Sequence, residues 1–307
     1  MIIFIVRRLL QTIPVLLGVS LVVFLMIHLI PGCPARAMAG EAADPVQIEI
    51  LREQMGLNDP VLTQYFRFIR RIVTGDLGTS IVSGRPVVEE IFEARFAITV
   101  HLAILGTLAA VILGLIVGIV SATMKDSFLD ILLMLVALLG LSIPNFWLAV
   151  LLIIEFSVNR GLLPIVGWGE INQMVLPTLT LGISGAAIIA RMTRANLLDV
   201  LNQDYIRTAR AKGAGERIVI FKHALRNALI PVITVVGLQF GALLTGAIIT
   251  ETIFAINGMG RLIIQSITQR DVIMVQGTVL VVSIMFVAVN AMVDIAYRLV
   301  NKRVDLN

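Results

Sequence analysis

Residues 98–120 read ITVHLAILGTLAAVILGLIVGIV, a run without one charged side chain. Wound as an α-helix rising 1.5 Å per residue, that run is about 35 Å long. A bilayer core of about 30 Å is crossed by about 20 mostly apolar helical residues, so the stretch is long enough to span one. Outward from it in both directions lie five more stretches of the same kind, roughly 9–30, 131–156, 171–190, 228–250 and 273–296. Only Glu155 and Asp294 interrupt them, each close to an end. Hydrocarbon offers the backbone no hydrogen bonds, so spanning segments satisfy their own as helices. The expected fold class is therefore all-α: a polytopic membrane protein with six transmembrane helices.

Composition agrees. Of the 307 residues 58% are hydrophobic and 14% charged, where soluble domains carry roughly 25% charged residues. So few charges cannot cover a water-soluble body of this size, and disordered, collagen-like and coiled-coil classes fail on the same count. One cysteine, Cys33, excludes an intrachain disulfide framework and any cysteine cluster. No cofactor is expected. Three scattered histidines (His28 and His101 near span ends, His223 in a loop) and no clustered carboxylates in the spans argue against a metal site.

The net charge of +4 could suggest nucleic acid, but the position of the basic residues removes nucleic acid from the expected partners. With the amino terminus in the cytoplasm, fourteen Lys and Arg fall inside: Arg7, Arg8, Lys125, the eight between Arg191 and Arg226, Arg298, Lys302 and Arg303. The short outer loops then hold Arg160, Arg261 and Arg270. By the positive-inside rule both termini are cytoplasmic. A competing reading makes the first span a cleaved signal peptide with Gly32-Cys33 at its end. Its apolar run exceeds the usual signal core of roughly 7 to 15 residues, so a retained anchor is the better reading.

Two connections are too large to be turns. The outer one, residues 31–97, carries nine acids and seven arginines, and its pattern predicts two short amphipathic helices separated by Asn58-Asp59-Pro60. It reads either as a solvated cap or as a docking surface for an extracytoplasmic partner. The inner one, 191–227, is basic and helical in pattern. On a helix wheel Tyr205, Ile206, Ala209 and Gly213 fall within about 100 degrees of arc, with Arg207 and Arg210 beside them. Gly213 is a natural helix end. This short helix is either a membrane-surface anchor or a surface on which a partner docks.

At this second loop the sequence resembles a known family. Asp204 to Pro231 is similar to the cytoplasmic EAA motif of ABC importer permeases, with Arg207-Thr208-Ala209 at the Glu-Ala-Ala positions and Gly213 at the glycine. It departs from the pattern at Arg207 and at His223-Ala224-Leu225-Arg226. The wording Tyr205 to Gly213, Arg7-Arg8-Leu9-Leu10, His28-Leu29-Ile30-Pro31-Gly32, Gly75-Asp76-Leu77-Gly78 and Thr250-Glu251-Thr252-Ile253-Phe254 resembles the first permease subunit of the dipeptide, oligopeptide, glutathione and nickel branch. Family members often carry Asp where this chain has Cys33, which reads as a neutral thiol.

That resemblance implies a type I ABC importer permease (MetI-like) bundle in a bacterial inner membrane. The implied division is a first helix over 1–30, an outer region over 31–94, a five-helix core over 95–297 and a cytoplasmic tail over 298–307. It implies four partners besides the lipid bilayer: a second, homologous permease subunit, two ATP-binding ABC ATPase subunits and an extracytoplasmic solute-binding protein. Coupling to the ATPase would run through Asp204, Tyr205, Arg207, Thr208, Ala209, Arg210, Lys212 and Gly213. No catalytic residue is expected, and the chain has no Gly-x-x-x-x-Gly-Lys-Ser/Thr phosphate loop. The ATPase is then another chain.

Within the spans, Gly114 with Gly118 and Gly237 with Gly241 form small-xxx-small faces that suit close helix packing. Pro14, Pro144, Pro177 and Pro231 each remove a helical hydrogen bond and bend or start a helix. Asn145 and Gln239 are the candidates for the pathway, with Asn290 a further polar group in a span, because a polar side chain is costly against lipid. The rival classes are a secondary transporter, which would show an inverted repeat and ionisable groups at mid-membrane, and a membrane enzyme, which needs a clustered catalytic set. Neither pattern is visible.

Overall fold

The computed structural model describes residues 2–29, 35–36, 44–54 and 56–300. Pro31, Gly32, Cys33, the side chain of His28 and the tail from residue 301 lie outside that description. In chain order the helices are α1 (Ile2–Leu29), α2 (Pro45–Gln54), α3 (Val61–Val73), α4 (Val87–Glu90), α5 (Phe96–Thr123), α6 (Phe128–Ser142) and α7 (Asn145–Leu152). There follow α8 (Ile171–Leu201), α9 (Asp204–Ala211), α10 (Glu216–Ile218), α11 (Leu225–Gly246), α12 (Ile248–Ile253), α13 (Met259–Thr268) and α14 (Val272–Val300). Wider π-helical turns at Ile91–Arg95, Ile153–Asn159 and Val219–Ala224 join or extend some of them. Among the described residues there is no β-strand, only an isolated bridge between Thr79 and Pro86.

Four continuous helical stretches are long and apolar enough to cross a bilayer: Val87–Thr123, Ile171–Leu201, Glu216–Leu244 and Val272–Ile295. A shorter apolar stretch, Leu10–Met26, lies in α1. The third expected span is where structure and sequence part. Residues 131–156 do not form one rod; α6 and α7 meet at a bend of 106°. A proline ring crowds the residue before it out of the helical region, and Ile143 takes φ −76°, ψ 123°. Pro144 then precedes α7 at φ −61°. The other three prolines sit inside helices: Pro14 in α1, Pro177 in α8 and Pro231 in α11.

The chain divides into two compact units. The first comprises Met1–Thr99 with Asn257–Ala288. Its outer connection folds into α2 and α3, the two short helices expected there. The ring of Phe24 on α1 meets Tyr65 at 5.4 Å and Phe68 at 5.8 Å, and the Tyr65 hydroxyl reaches Ser20 Oγ at 2.9 Å. Val87, Ile91, Met259, Leu262, Met274 and Val281 form the core of this unit. Asp271, 2% exposed, ties it together: it accepts from the Ser80 hydroxyl and from the amides of Met274 at 3.1 Å and Val82 at 3.3 Å.

The second unit comprises Val100–Ile256 with Val289–Asn307. Glycine lets its helices approach. A Cβ placed on Gly114 would stand 2.7 Å from Ile189 and 2.9 Å from the Ala186 carbonyl, and one on Gly118 would stand 2.6 Å from the Ala190 carbonyl. Gly237 abuts Val293 in the same way, at 2.4 Å, and Gly241 is buried. At one end of α8, Arg194 donates to Asp130 from Nε at 2.8 Å and from NH2 at 2.7 Å. Asp130 also accepts from the Ser121 hydroxyl and the Asp126 amide.

Candidate functional site

The residues singled out at the second loop stand together on α9 and the turn that closes it. Asp204 opens α9, where a carboxylate favours the positive end of the helix dipole, and the amides of Ile206 and Arg207 return to the Gln203 carbonyl. The helix stops because Gly213 adopts φ +79°, a left-handed geometry that costs other L-residues about 1–2 kcal/mol. Two backbone bonds close the turn: Gly213 N–H to the Arg210 carbonyl at 2.9 Å and Ala214 N–H to the Ala209 carbonyl at 3.2 Å. That pairing is a Schellman cap.

Packing decides which face of α9 is available. Ile206 is fully buried, in a cluster with Ala122, Leu197, Val219, Ala224 and Ala228 against which Ala214 also packs. The arc read from the sequence is therefore split. Ile206 is turned into its own protein, Ala209 is half-buried, and Tyr205 stays exposed on the flank, its hydroxyl accepting from Asn227 Nδ2 at 2.8 Å. Arg207, Thr208, Arg210 and Lys212 project outward, as does Gly213, whose missing side chain faces open space. With Ile206 occupied, α9 lacks the free apolar face that lying in a lipid interface requires.

The charges are arranged rather than scattered. Arg207 lies 3.6 Å from Asp204, an exposed pair of little energetic weight. Arg210 reaches across the Gly213 turn to Glu216, with Nε to Oε1 at 2.7 Å, and this hydrogen bond raises its pKa above the ordinary arginine value. The sequence reading missed both this clasp and the Asn227 bond. Six residues is not a helical spacing, so only the glycine turn between Arg210 and Glu216 hinted at the first. Arg207 and Lys212 are left pointing outward from a helix whose back and end are both fixed. Such a ridge can press on another protein. It holds no nucleophile–base pair, and among the described residues no group of three His, Cys, Asp or Glu could hold a metal.

The remaining singled-out residues lie elsewhere. Asn145 is the half-buried first residue of α7, and Gln239 is half-buried on α11, its Nε2 3.7 Å from where a Gly185 Cβ would be. No hydrogen bond among the described residues joins these two. Asn290 Oδ1 is buried without a described partner. His101 is exposed, and Glu155 accepts from Arg160 Nε at 2.7 Å and from Asn159 at 3.3 Å.

Comparison with known proteins gives one consistent result. Residues 110–306 match the family described as binding-protein-dependent transport system inner membrane component, and residues 1–103 match the amino-terminal region of the same membrane component. The glutathione transport system permease protein GsiC of Escherichia coli O6:H1 is 47% identical over 298 residues, covering 97% of each chain. The dipeptide transport system permease protein DppB of Alkalihalophilus pseudofirmus is 45% identical over 326 aligned residues, covering 97% of this chain and 98% of that one. Among solved structures, the MetNI methionine ABC transporter in an inward-facing crystal form superposes with a TM-score of 0.58 at 20% identity, over 69% of this chain and 96% of the other. An amino acid ABC transporter crystallised with histidines gives 0.50 at 17%, over 71% and 94%. These structural matches bear on the fold.

Proposed function

The chain belongs to the family of binding-protein-dependent transport system inner membrane components, and from that premise we propose that it forms half of the pathway of an ATP-driven importer of small peptides. It is a multi-pass membrane permease and not itself an enzyme. The substrate class follows the names of its relatives, which transport glutathione and dipeptides. In this reading six helices cross the inner membrane, α1 first and the bent α6–α7 pair third, with both termini in the cytoplasm. The fourteen inward Lys and Arg support that orientation. A second, homologous permease completes the pathway and an external binding protein delivers the peptide, with residues 31–94 as its docking region. Two separate ATPase subunits supply the energy. The core runs over 95–297, and Asn145 and Gln239 are the polar groups placed toward the pathway.

The observation that carries the reading is the α9 ridge. A helix anchored from behind by Ile206 and closed by a Schellman turn transmits a push instead of absorbing it, and its exposed cations give the ATPase a surface to press. Nucleotide-driven closure of the ATPase pair then biases a two-state bundle through α9. The test compares Gly213→Ala, Gly213→Trp and Ala209→Asp in the complete importer, reading ATP hydrolysis and peptide uptake in proteoliposomes. Both Gly213 variants carry the same backbone strain; only Trp adds bulk. Gly213→Ala should keep most uptake, while Gly213→Trp and Ala209→Asp hydrolyse ATP and transport at least tenfold less. Uptake at the wild-type level in the last two would remove α9 as the docking helix.

A further inference from the structure

Between α6 and α8, in the second unit, runs a groove of about 330 Å³ lined by Met134, Ala137, Leu138 and Leu141 on one side and by Ala187, Arg191 and Arg194 on the other. Beside Leu141, Gly140 lets the helices run near each other, the position of its Cβ lying 3.7 Å from Ile183 and 4.0 Å from Ala187. At the Arg194 end, Asp130 and Arg194 form their two-bonded ion pair. The walls between are apolar, and Leu138 and Leu141 remain 52% and 39% exposed within them. From Met134 to Leu141 the groove follows about 10 Å of helix, room for part of an extended acyl chain.

The charge at its mouth is uneven. Arg194 and Asp130 neutralise each other, but Arg191, also exposed, has no ion-pair or hydrogen-bond partner among the described residues. Arg191 is the first charged residue after the uncharged run 171–190, which places its guanidinium at the depth of lipid headgroups and the groove beneath it in hydrocarbon. An unpaired cation above an apolar slot between two membrane helices matches the chemistry of an anionic phospholipid.

We propose that this groove binds one anionic membrane phospholipid, its phosphate on Arg191 and an acyl chain along Leu138 and Leu141. The site rests on the membrane-spanning reading given above and is separate from the α9 ridge. Arg191 holds the headgroup; the Asp130–Arg194 pair is the fixed end wall against which it sits.

The complete importer, reconstituted in nanodiscs of phosphatidylcholine with a minor share of phosphatidylglycerol, should retain phosphatidylglycerol when released into native mass spectrometry. Losing one surface cation should lower retention roughly fivefold in Arg191→Gln, while Arg191→Lys keeps most of it. Leu138→Trp, which fills the slot and leaves the charge, should lose it as well. Equal retention in Arg191→Gln or Leu138→Trp overturns the proposal, as does retention of phosphatidylcholine with equal preference. No lipid retained, with a Leu138→Cys variant cross-linking to the second permease, would hand the groove to a protein partner. ATP-driven uptake and labelling of Lys125→Cys from the cytoplasmic side are read in parallel, so that an error in the transport or topology reading shows there and leaves the lipid count standing.

Discussion

Asp130 lies near the start of α6 with 3% of its side chain exposed, and its charge is compensated from three directions: Arg194, the Ser121 hydroxyl and the Asp126 amide. Removing Asp130 leaves the partly exposed Arg194 without its carboxylate and the buried Ser121 hydroxyl without its acceptor, which costs about 1–3 kcal/mol. Asp130→Ala should therefore lower the thermal unfolding temperature of the detergent-solubilised protein markedly, and the double change Asp130→Asn with Arg194→Gln should recover part of the loss. An unfolding temperature unmoved by Asp130→Ala would show that the pair holds nothing. Neither this pair nor the Asp271–Ser80 bond could be read from the sequence. Their partners stand 64 and 191 residues apart, and a sequence gives charge and spacing but not which distant residues a fold brings into contact. Arg194 was legible only as one of several cations that set orientation.

The helices were more legible than their faces. An uncharged run of 23 residues declares a helical span because a helix satisfies its whole backbone within the segment, whereas barrel strands are about 10 residues long and alternate in polarity. Gly213 declares a helix end because few residues tolerate φ +79°. The wheel of α9 put Tyr205, Ile206, Ala209 and Gly213 on one arc, which the fold splits: Gly213 lies past the helix end, and Ile206 points home because Leu197 and Val219 arrive behind it. Glycine faces belong to this scale too. At Gly118 an added Cβ meets the Ala190 carbonyl, a backbone atom that cannot swing aside, whereas at Gly18 on α1 it meets nothing within 4 Å. Gly118→Leu should thus destabilise by about 1–3 kcal/mol through overpacking, seen as a lower unfolding temperature, while Gly18→Leu serves as a near-neutral control. Equal shifts at the two positions would contradict the close α5–α8 approach.

Across the whole molecule the hydropathy of the chain laid out its apolar stretches, and what it hid was the 106° break at Pro144. Pro144 was visible as a bend or a start; the extended backbone at Ile143, which converts one apolar run into two limbs, was not. That break bears on how the chain is made. Phe128–Ser142 is 15 residues, about 22 Å of helix against a hydrocarbon core of about 30 Å. Neither limb is a span by itself, and α6 and α7 both pack on α8, with α7 meeting α12 as well. During synthesis, residues 128–159 should accordingly remain accessible to a water-soluble thiol reagent at an Ala149→Cys site, buried in the finished fold (in a Cys33→Ser background), while the nascent chain ends before Ile171. They should become protected once it extends past Leu201. Equal protection in the shorter chain would contradict this order of assembly; otherwise the order in which ribosome and insertion machinery present these segments is part of what the sequence encodes, with α8 acting as the template on which its predecessor is completed.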